Sequence, residues 1–244
     1  MNVLDIIIII FILFGAVLGF KRGFTKELVE AVGFIVVLII AYFLKNPLSV
    51  LMYEHLPFFS FGVLKNAEIL NVLVYEVLAF IICIILLSII LRLILVATSV
   101  FEKILNTTII LGIPSKIAGA IVGILHHFVA AFIIVYIISM VFIDVSFVNE
   151  SKFKNKILNN TPLLSEIADK GTVVVKEFLD LKDKYNDQTI SESEFDYQAI
   201  ELFLKYDVIT PTSLEKLFES GKIEKFENYG ELIKKAKEGN LNGN

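Results

Sequence analysis

The sequence predicts an all-α integral membrane protein that has four transmembrane helices, an interfacial or re-entrant segment and a helical soluble tail. Of its 244 residues 56% are hydrophobic, and its mean hydropathy is +0.77, whereas soluble domains contain about 45 to 50% apolar residues. Four apolar segments reach the length of about 20 residues that a spanning helix needs. Residues 1–144 hold eight basic and eight acidic residues, whereas 145–244 hold 14 basic and 18 acidic ones. A neutral membrane domain therefore precedes a polar, mildly acidic tail.

The four predicted spanning segments cover about 3–20, 28–44, 72–98 and 117–143. Lys21 and Arg22 follow the first segment, and because this basic pair does not precede the apolar run, we expect no cleaved signal peptide there. Lys45, Asn46 and Pro47 close the second segment. The third apolar stretch continues to 101, which is too long for one perpendicular crossing, so this helix must tilt or project beyond the lipid.

The stretch between the second and third segments, residues 46–70, is too apolar for an ordinary loop. Pro47 and Pro57 interrupt it too often for a spanning helix, so it predicts an interfacial or re-entrant segment. Four aromatic residues are expected at headgroup level: Tyr53, Phe58, Phe59 and Phe61. Residues 108–114, before the fourth segment, show a similar pattern.

Basic residues near the segment ends predict the orientation, because cytoplasmic loops carry an excess of Lys and Arg. Six lie on the side of the first loop: Lys21, Arg22, Lys26, Arg92, Lys103 and Lys116. Five lie on the other side: Lys45, Lys65, Lys152, Lys154 and Lys156. The excess is small, but the first segment's own basic residues all follow it. Both termini are therefore predicted outside the cytoplasm.

The tail, residues 145–244, is typical of short helices joined by polar turns. Its predicted helix starts are Thr161 before Pro162, Ser191 with Glu194, and Thr212 with Glu215. The helix after Ser191 carries an apolar stripe that should pack on another surface: Phe195, Ala199, Leu202, Phe203 and Tyr206. The last eight residues, KEGNLNGN, are predicted to be disordered.

Glycines mark the faces on which two spanning helices should meet. Gly119 and Gly123 share one face of the fourth segment, and the first segment has a matching set, Gly15, Gly19 and Gly23. Small residues at this spacing let helix backbones approach each other in a membrane. We therefore predict that these five are packing residues and that the two helices pair.

Five polar side chains in the spanning segments are candidates for an intramembrane function: Asp5, Glu76, Arg92, His126 and His127. The histidines follow Gly123 on its own face, and a packing role is favoured over a proton relay because the fourth segment has no acid before Asp144. Asp5 is favoured as a first-turn carboxylate with Asn2 as cap.

The two charges of the third segment point to nearly opposite sides of one helix. Glu76 and Arg92 are sixteen residues apart, so at 100° per residue they cannot pair with each other within that helix. Arg92 is expected to extend its guanidinium to the cytoplasmic surface.

Several kinds of chemistry are excluded by the residues that the sequence lacks. The tail has no His or Cys, so it cannot form a serine or cysteine protease dyad of the usual type. Cys83 is the only cysteine, which rules out a disulfide framework or a Cys-based metal cluster within one chain. The sequence has no phosphate loop, HExxH or dinucleotide motif, and no basic surface for nucleic acid. We therefore predict no enzymatic activity, no catalytic residue, no metal and no cofactor.

Three stretches resemble the bacterial colicin V production protein family over about residues 1–165: NVLDIIIIIFILFGAVLGFKRGFTKEL, GIPSKIAGAIVGILHHF and ILNNTPLLSEI. The most specific matches are Asn2, Asp5, Gly15, Gly19, Arg22-Gly23-Phe24, Gly119 and Gly123. The resemblance implies a multi-pass inner-membrane protein linked to bacteriocin production or export and to envelope homeostasis. Some members carry a trypsin-like protease outside the cytoplasm after the same membrane domain. This chain lacks that domain, but these members agree with a tail on the outer side.

Two functional hypotheses follow. The first is a non-enzymatic scaffold in the lipid bilayer, whose tail docks on an envelope protein or on its own membrane domain. The second is an oligomeric transporter or channel subunit that uses Asp5, Arg92 and the histidine pair, and that needs several copies because four helices make a thin wall. The scaffold is favoured because each polar residue has a structural explanation and none forms a chain across the bilayer.

Overall fold

The computed structural model describes residues 2–59, 69–105, 113–141, 148, 150–161, 164–223, 229–239 and 241. Within these ranges the chain forms nine α-helices and no β-strand: α1 Val3–Arg22, α2 Phe24–His55, α3 Leu70–Leu105, α4 Ile113–Val141, α5 Lys152–Asn160, α6 Leu164–Asn186, α7 Glu192–Lys205, α8 Pro211–Glu219 and α9 Tyr229–Lys237.

The first four helices are long and apolar enough to cross a membrane, which confirms the predicted fold class. The apolar spans are Val3–Arg22, Phe24–His55, Asn71–Val96 and Ile113–Ser139. Large apolar side chains are exposed along all four, as on Leu13, Phe43, Leu93 and Ile121. Such surfaces are expected where lipid, and not water, is the solvent.

Helix α2 extends beyond the predicted segment 28–44, through Pro47 to His55. A proline inside a helix costs about 3 kcal/mol or more, because it lacks an N–H and its ring clashes with the preceding turn. The continued helix places Lys45, Ser49 and Tyr53 on one face, where all three side chains contact Glu76 of α3. These buried contacts explain why the helix does not end at the proline. Of the predicted interfacial segment, 46–55 is helical, and 60–68 lies outside the described residues.

Helix α3 is 36 residues long, which at 1.5 Å per residue gives about 54 Å. The hydrocarbon core of a bilayer is about 30 Å thick. The predicted excess length of the third helix is therefore present. The apolar stretch before α4 and the predicted end of the fourth segment at Asp144 fall mostly outside the described residues.

The chain divides into two compact units, Met1–Ile40 with Ile84–Asp169, and Ala41–Cys83 with Lys170–Asn244. Helices α2 and α3 each contribute residues to both. In the first unit, α1, α4 and α5 share an apolar core that includes Leu4, Ile8, Phe132, Val135 and Ile157.

In the second unit, the end of α2 and the start of α3 share one hydrophobic core with α6 to α9. Tyr53, Val72 and Tyr75 belong to this core together with Phe178 and Phe203. The aromatic rings of Phe178 and Phe203 stack with centroids 5.5 Å apart. The predicted apolar stripe of α7 is buried here, so the tail packs on residues of the spanning helices of its own chain.

Three predicted helix starts in the tail have different outcomes. Ser191 accepts a hydrogen bond from the Glu194 N–H and begins α7 as predicted. Helix α8 is capped by Thr210 and not by Thr212, because Pro211 occupies the first helical position, where its missing N–H costs nothing. Thr161 follows α5 and donates its hydroxyl to the Ile157 carbonyl. Residues 162 and 163, which precede α6, lie outside the described part, as do 240 and 242–244 of the predicted disordered end.

Candidate functional site

Glycine contacts between α1 and α4 position the histidine pair. The backbone of Gly15 lies against Gly123, and that of Gly19 lies against Gly119. A Cβ atom on any of these four glycines would overlap the facing backbone. The structure thus brings together the two glycine sets that the sequence singled out, with α1 and α4 antiparallel.

Gly23 supplies the turn that leads from α1 into α2. Its φ of 81° lies in the region that glycine adopts without steric cost. The next residue, Phe24, donates its N–H to Ser115 Oγ of α4 at 3.2 Å. This turn therefore fixes the start of α2 beside the first turn of α4.

A cluster of charged and imidazole groups, the Glu27 cluster, lies beside this turn and consists of Arg22, Glu27, Glu30 and His126. The Glu27 side chain has no exposed surface. Its Oε1 lies 3.0 Å from Nδ1 of His126, and its Oε2 accepts from Arg22 Nη1 at 3.1 Å. Arg22 also donates to Glu30. Helices α1, α2 and α4 thus meet at one buried carboxylate.

The acid beside His126 was not predicted, because it was expected in the same segment as the histidine. Glu27 comes from the first turn of α2. A signal was nevertheless present: the glycine register pairs α4 with the end of α1, so the start of α2 had to be close to α4. What a single sequence does not give is the face of α2 that turns inward.

The two adjacent histidines have different surroundings. His127 hydrogen-bonds the Gly123 carbonyl through Nδ1 at 3.0 Å, and because a carbonyl only accepts, this nitrogen carries the hydrogen. The His127 ring packs 5.2 Å from the Phe11 ring, centroid to centroid. The His126 ring lies 5.3 Å from that of Phe34 and faces the Glu27 cluster. Only His126 is therefore part of the charged cluster.

Glu27, His126 and His127 could hold a metal ion by donor type, since a carboxylate and two imidazoles are ligands of zinc and related metals. Their ligand atoms all lie within 4.8 Å of one another. Arg22, however, already donates to the carboxylate of Glu27, and its positive charge opposes a second cation there. The donor set therefore fits a metal by donor chemistry, in the presence of a competing arginine.

A cleft of about 490 Å³ adjoins the Glu27 cluster in the first unit. Its charged and imidazole lining residues are Arg22, Lys26, Glu30, Arg92 and His126. Arg92 of α3, which was expected to extend to the surface, is exposed at this cleft. The structure thus brings two of the five polar candidates, Arg92 and His126, to one cavity.

Glu76 belongs to the second unit, where it is the centre of a separate polar cluster. Its Oε2 accepts from Lys45 Nζ at 2.7 Å, and its Oε1 accepts from the hydroxyls of Ser49 at 2.5 Å and Tyr53 at 2.6 Å. Lys45 Nζ also donates to the Val208 carbonyl at 3.0 Å. Both oxygens of Glu76 are therefore occupied, and the carboxylate joins α2 to α3.

Asp5 joins the start of α1 to the start of α5. It forms a capping box with Asn2, and its Oδ1 also accepts from Ser151 Oγ at 2.6 Å and from the Phe153 N–H at 3.0 Å. Ser151 in turn caps α5 by accepting from the Lys154 N–H. Burial lowers the pKa of the Lys154 ammonium group. The Asn2 cap was expected, whereas the contacts with Ser151 and Phe153 are not visible in the sequence.

Comparison with known proteins relates the membrane-spanning part of the chain to others. A family model described as "Colicin V production protein" matches residues 4–162. A Bacillus subtilis (strain 168) protein described as "Uncharacterized transmembrane protein YshB" is 32% identical over 173 residues, which is 66% of this chain and 93% of that protein. No solved structure matches the chain.

Proposed function

Because the chain belongs to the colicin V production protein family, we propose that it is a non-enzymatic scaffold of the bacterial inner membrane. The family assignment confirms the resemblance found in the sequence and supports a multi-pass membrane protein linked to colicin V production. The proposal adds that the spanning helices form a rigid support. In this role the protein assists bacteriocin production or export and maintains the envelope without catalysing a reaction.

One observation carries this proposal. In the described part of the chain, every buried side-chain nitrogen or oxygen atom has a hydrogen-bond partner. The carboxylates of Asp5 and Glu76 each join two helices, and that of Glu27 joins three. Fully satisfied polar networks stabilise one arrangement of helices, which is what a scaffold requires. A transport path, in contrast, needs groups that exchange partners.

The tail supports the same proposal in a modified form. The apolar stripe of α7 is buried in the core of the second unit. An envelope protein would therefore have to bind the outer, charged surface of the tail. That surface carries Glu177, Asp180, Lys184, Glu194 and Lys205 around one shallow depression. We propose that this surface, and not the apolar stripe, docks the partner.

The test combines crosslinking in cells with flux measurements in vesicles. A photo-crosslinking amino acid at Glu194 or Lys205, both exposed on α7, should give one discrete adduct. The same amino acid at the lipid-facing Ile10 should give none. Replacing the acidic residues of the depression with lysine should abolish both the adduct and the rescue of a deletion strain. Ion flux through reconstituted protein, with no adduct at either tail position, would refute the scaffold.

A second candidate is an oligomeric transporter or channel subunit, which the cleft beside the Glu27 cluster favours. Arg92 and His126 line that cleft, and Glu27 supplies the acid that a relay through His126 needs. Changing both His126 and His127 to Asn separates the candidates. A scaffold keeps rescue activity at every external pH, whereas a proton relay loses it in a pH-dependent manner.

The proposed orientation places both termini outside the cytoplasm. The excess of basic residues on the side of the first loop and the outward protease of some family members support it. Paired C-terminal fusions test it, with one reporter active only outside the cytoplasm and the other only inside. Activity of the inside reporter would reverse the orientation and move the search for a partner to the cytoplasm.

A further inference from the structure

We propose that the cleft of the first unit binds an anionic phospholipid, with the lipid phosphate between Lys26 and Arg92 and an acyl chain along the apolar wall. We refer to this cavity as the basic cleft. The inference does not depend on the scaffold proposal, because a scaffold and a transporter could equally hold a lipid there.

The basic cleft carries more positive than negative charge. Three cations, Arg22, Lys26 and Arg92, line the basic cleft together with one acid, Glu30. Arg22 is already committed to Glu27 and Glu30. The side chains of Lys26 and Arg92 form no ion pair or hydrogen bond with any residue that the structure describes. The three cations and the two acids that Arg22 contacts give a net charge of +1, and the side chains of Lys26 and Arg92 remain for an anion from outside the chain.

These cations lie where the chain turns between two spanning helices. Arg22 and Lys26 flank the turn at Gly23 between α1 and α2, and Arg92 of α3 lines the same cleft. Spanning helices end at the level of the lipid headgroups. Basic pockets between spanning helices at that level bind anionic headgroups.

The rest of the basic cleft is lined by an apolar wall. Val29 and Phe34 of α2 and Leu91, Leu95 and Val96 of α3 line the remaining surface. Val29 and Val96 are 46% and 57% exposed, so the wall continues into the lipid-facing surface. A free phosphate would not contact this apolar wall, whereas an acyl chain would lie along it. The volume of about 490 Å³ is in the range of ligand pockets.

The absence of tryptophan from the sequence makes a direct test possible, because one introduced Trp is the only indole fluorophore. Val96→Trp places it on the apolar wall, and Ile121→Trp places it on exposed α4 surface outside the cleft. Each full-length variant is reconstituted in vesicles with brominated phosphatidylglycerol or brominated phosphatidylcholine, both of which quench Trp on contact. We expect brominated phosphatidylglycerol to quench the Trp at position 96 more strongly than brominated phosphatidylcholine does. At position 121 we expect the two lipids to quench equally. Equal quenching by both lipids at position 96 would overturn the proposal.

Charge variants in the Val96→Trp background identify the groups that hold the phosphate. Lys26→Gln and Arg92→Gln should each lower the preference for phosphatidylglycerol about fivefold, the effect of one basic residue near an anionic lipid surface. Lys21→Gln is the matched control, since Lys21 is an exposed cation at the end of α1 that does not line the cleft. Arg92→Lys keeps the charge and should retain most of the preference.

Two further results would contradict the inference. If Lys21→Gln lowered the preference as much as Lys26→Gln and Arg92→Gln, the effect would be general surface attraction and not a site. If inorganic phosphate added to the vesicles relieved quenching by phosphatidylglycerol, the cleft would bind free phosphate in place of a lipid. Circular dichroism of each variant verifies that the helices are retained.

Discussion

Oε1 of Glu27 lies 3.0 Å from Nδ1 of His126, so a carboxylate with no exposed surface joins α2 to α4 inside the first unit. The other carboxylate oxygen accepts from Arg22 at the end of α1. One acidic side chain thus holds three spanning helices together. This arrangement gives His126 a structural role that needs no ion or substrate.

Removing the charge of Glu27 should destabilise the first unit. Glu27→Gln keeps the size of the side chain but removes its negative charge and leaves one acceptor oxygen where Arg22 and His126 now contact two, so we expect a loss of about 1 to 3 kcal/mol. Thermal unfolding of the detergent-solubilised chain measures it. Glu54→Gln is the control, because Glu54 is an exposed acid of the same helix and should change stability by less than about 0.5 kcal/mol. Equal losses in the two variants would show that Glu27 is not a structural centre.

A methyl group at the glycine contact should separate α1 from α4. Gly119→Ala places a Cβ against the backbone of Gly19 and Gly23, which cannot move as a side chain can. Overpacking of this kind costs about 1 to 3 kcal/mol. In Gly33→Ala, the three atoms nearest the new Cβ belong to the flexible side chain of Leu91, so a smaller loss is expected. Melting temperatures followed by size-exclusion chromatography compare the variants, and an equal effect would contradict backbone contact between α1 and α4.

Hydropathy and small-residue spacing were sufficient to predict the four spanning helices and the glycine faces, because both properties belong to a single segment. The caps at Asn2 and Ser191 were predictable for the same reason. Contacts between segments were not. Glu27 and His126 are 99 positions apart, and nothing in the periodicity of α2 tells which of its faces turns towards α4.

Pro47 shows a second kind of limit. A local rule ends a helix near a proline, but here α2 continues because Lys45, Ser49 and Tyr53 reach Glu76 only if the helical phase is kept. Their spacing of four residues was visible in the sequence. The position of Glu76 opposite them was not visible. The stabilisation by these contacts, which offsets the cost of the proline, could therefore not be predicted.

Replacing one partner of the ion pair between Lys45 and Glu76 should lower the stability more than replacing both partners. Glu76→Leu leaves Lys45, which is 9% exposed, buried without its carboxylate, and such a change typically costs about 3 to 5 kcal/mol. The double variant Lys45→Met/Glu76→Leu leaves no unpaired charge and should recover a large part of that loss. Thermal unfolding of both variants is the measurement. A double variant less stable than Glu76→Leu alone would mean that Lys45 contributes through Val208 more than through Glu76.

Truncation of the tail should damage the second unit and not merely remove a docking element. Ending the chain after residue 165 deletes Phe178 and Phe203, which share a core with Tyr53 and Tyr75 of α2 and α3. We therefore expect the spanning helices to insert but residues 41–59 to become sensitive to protease. Ending the chain after Lys237 removes none of these core residues and should leave the protease pattern unchanged.

Limited proteolysis of membranes compares the two truncations. If residues 41–59 stayed protected after the long truncation, the tail would fold independently of the spanning helices, and loss of a partner's crosslink could be attributed to docking alone. If they are cleaved, loss of the partner's crosslink could result from loss of the docking surface or from unfolding of the second unit. Substitutions at exposed acids such as Glu194, which leave the core intact, are then the variants that separate binding of a partner from folding of the unit.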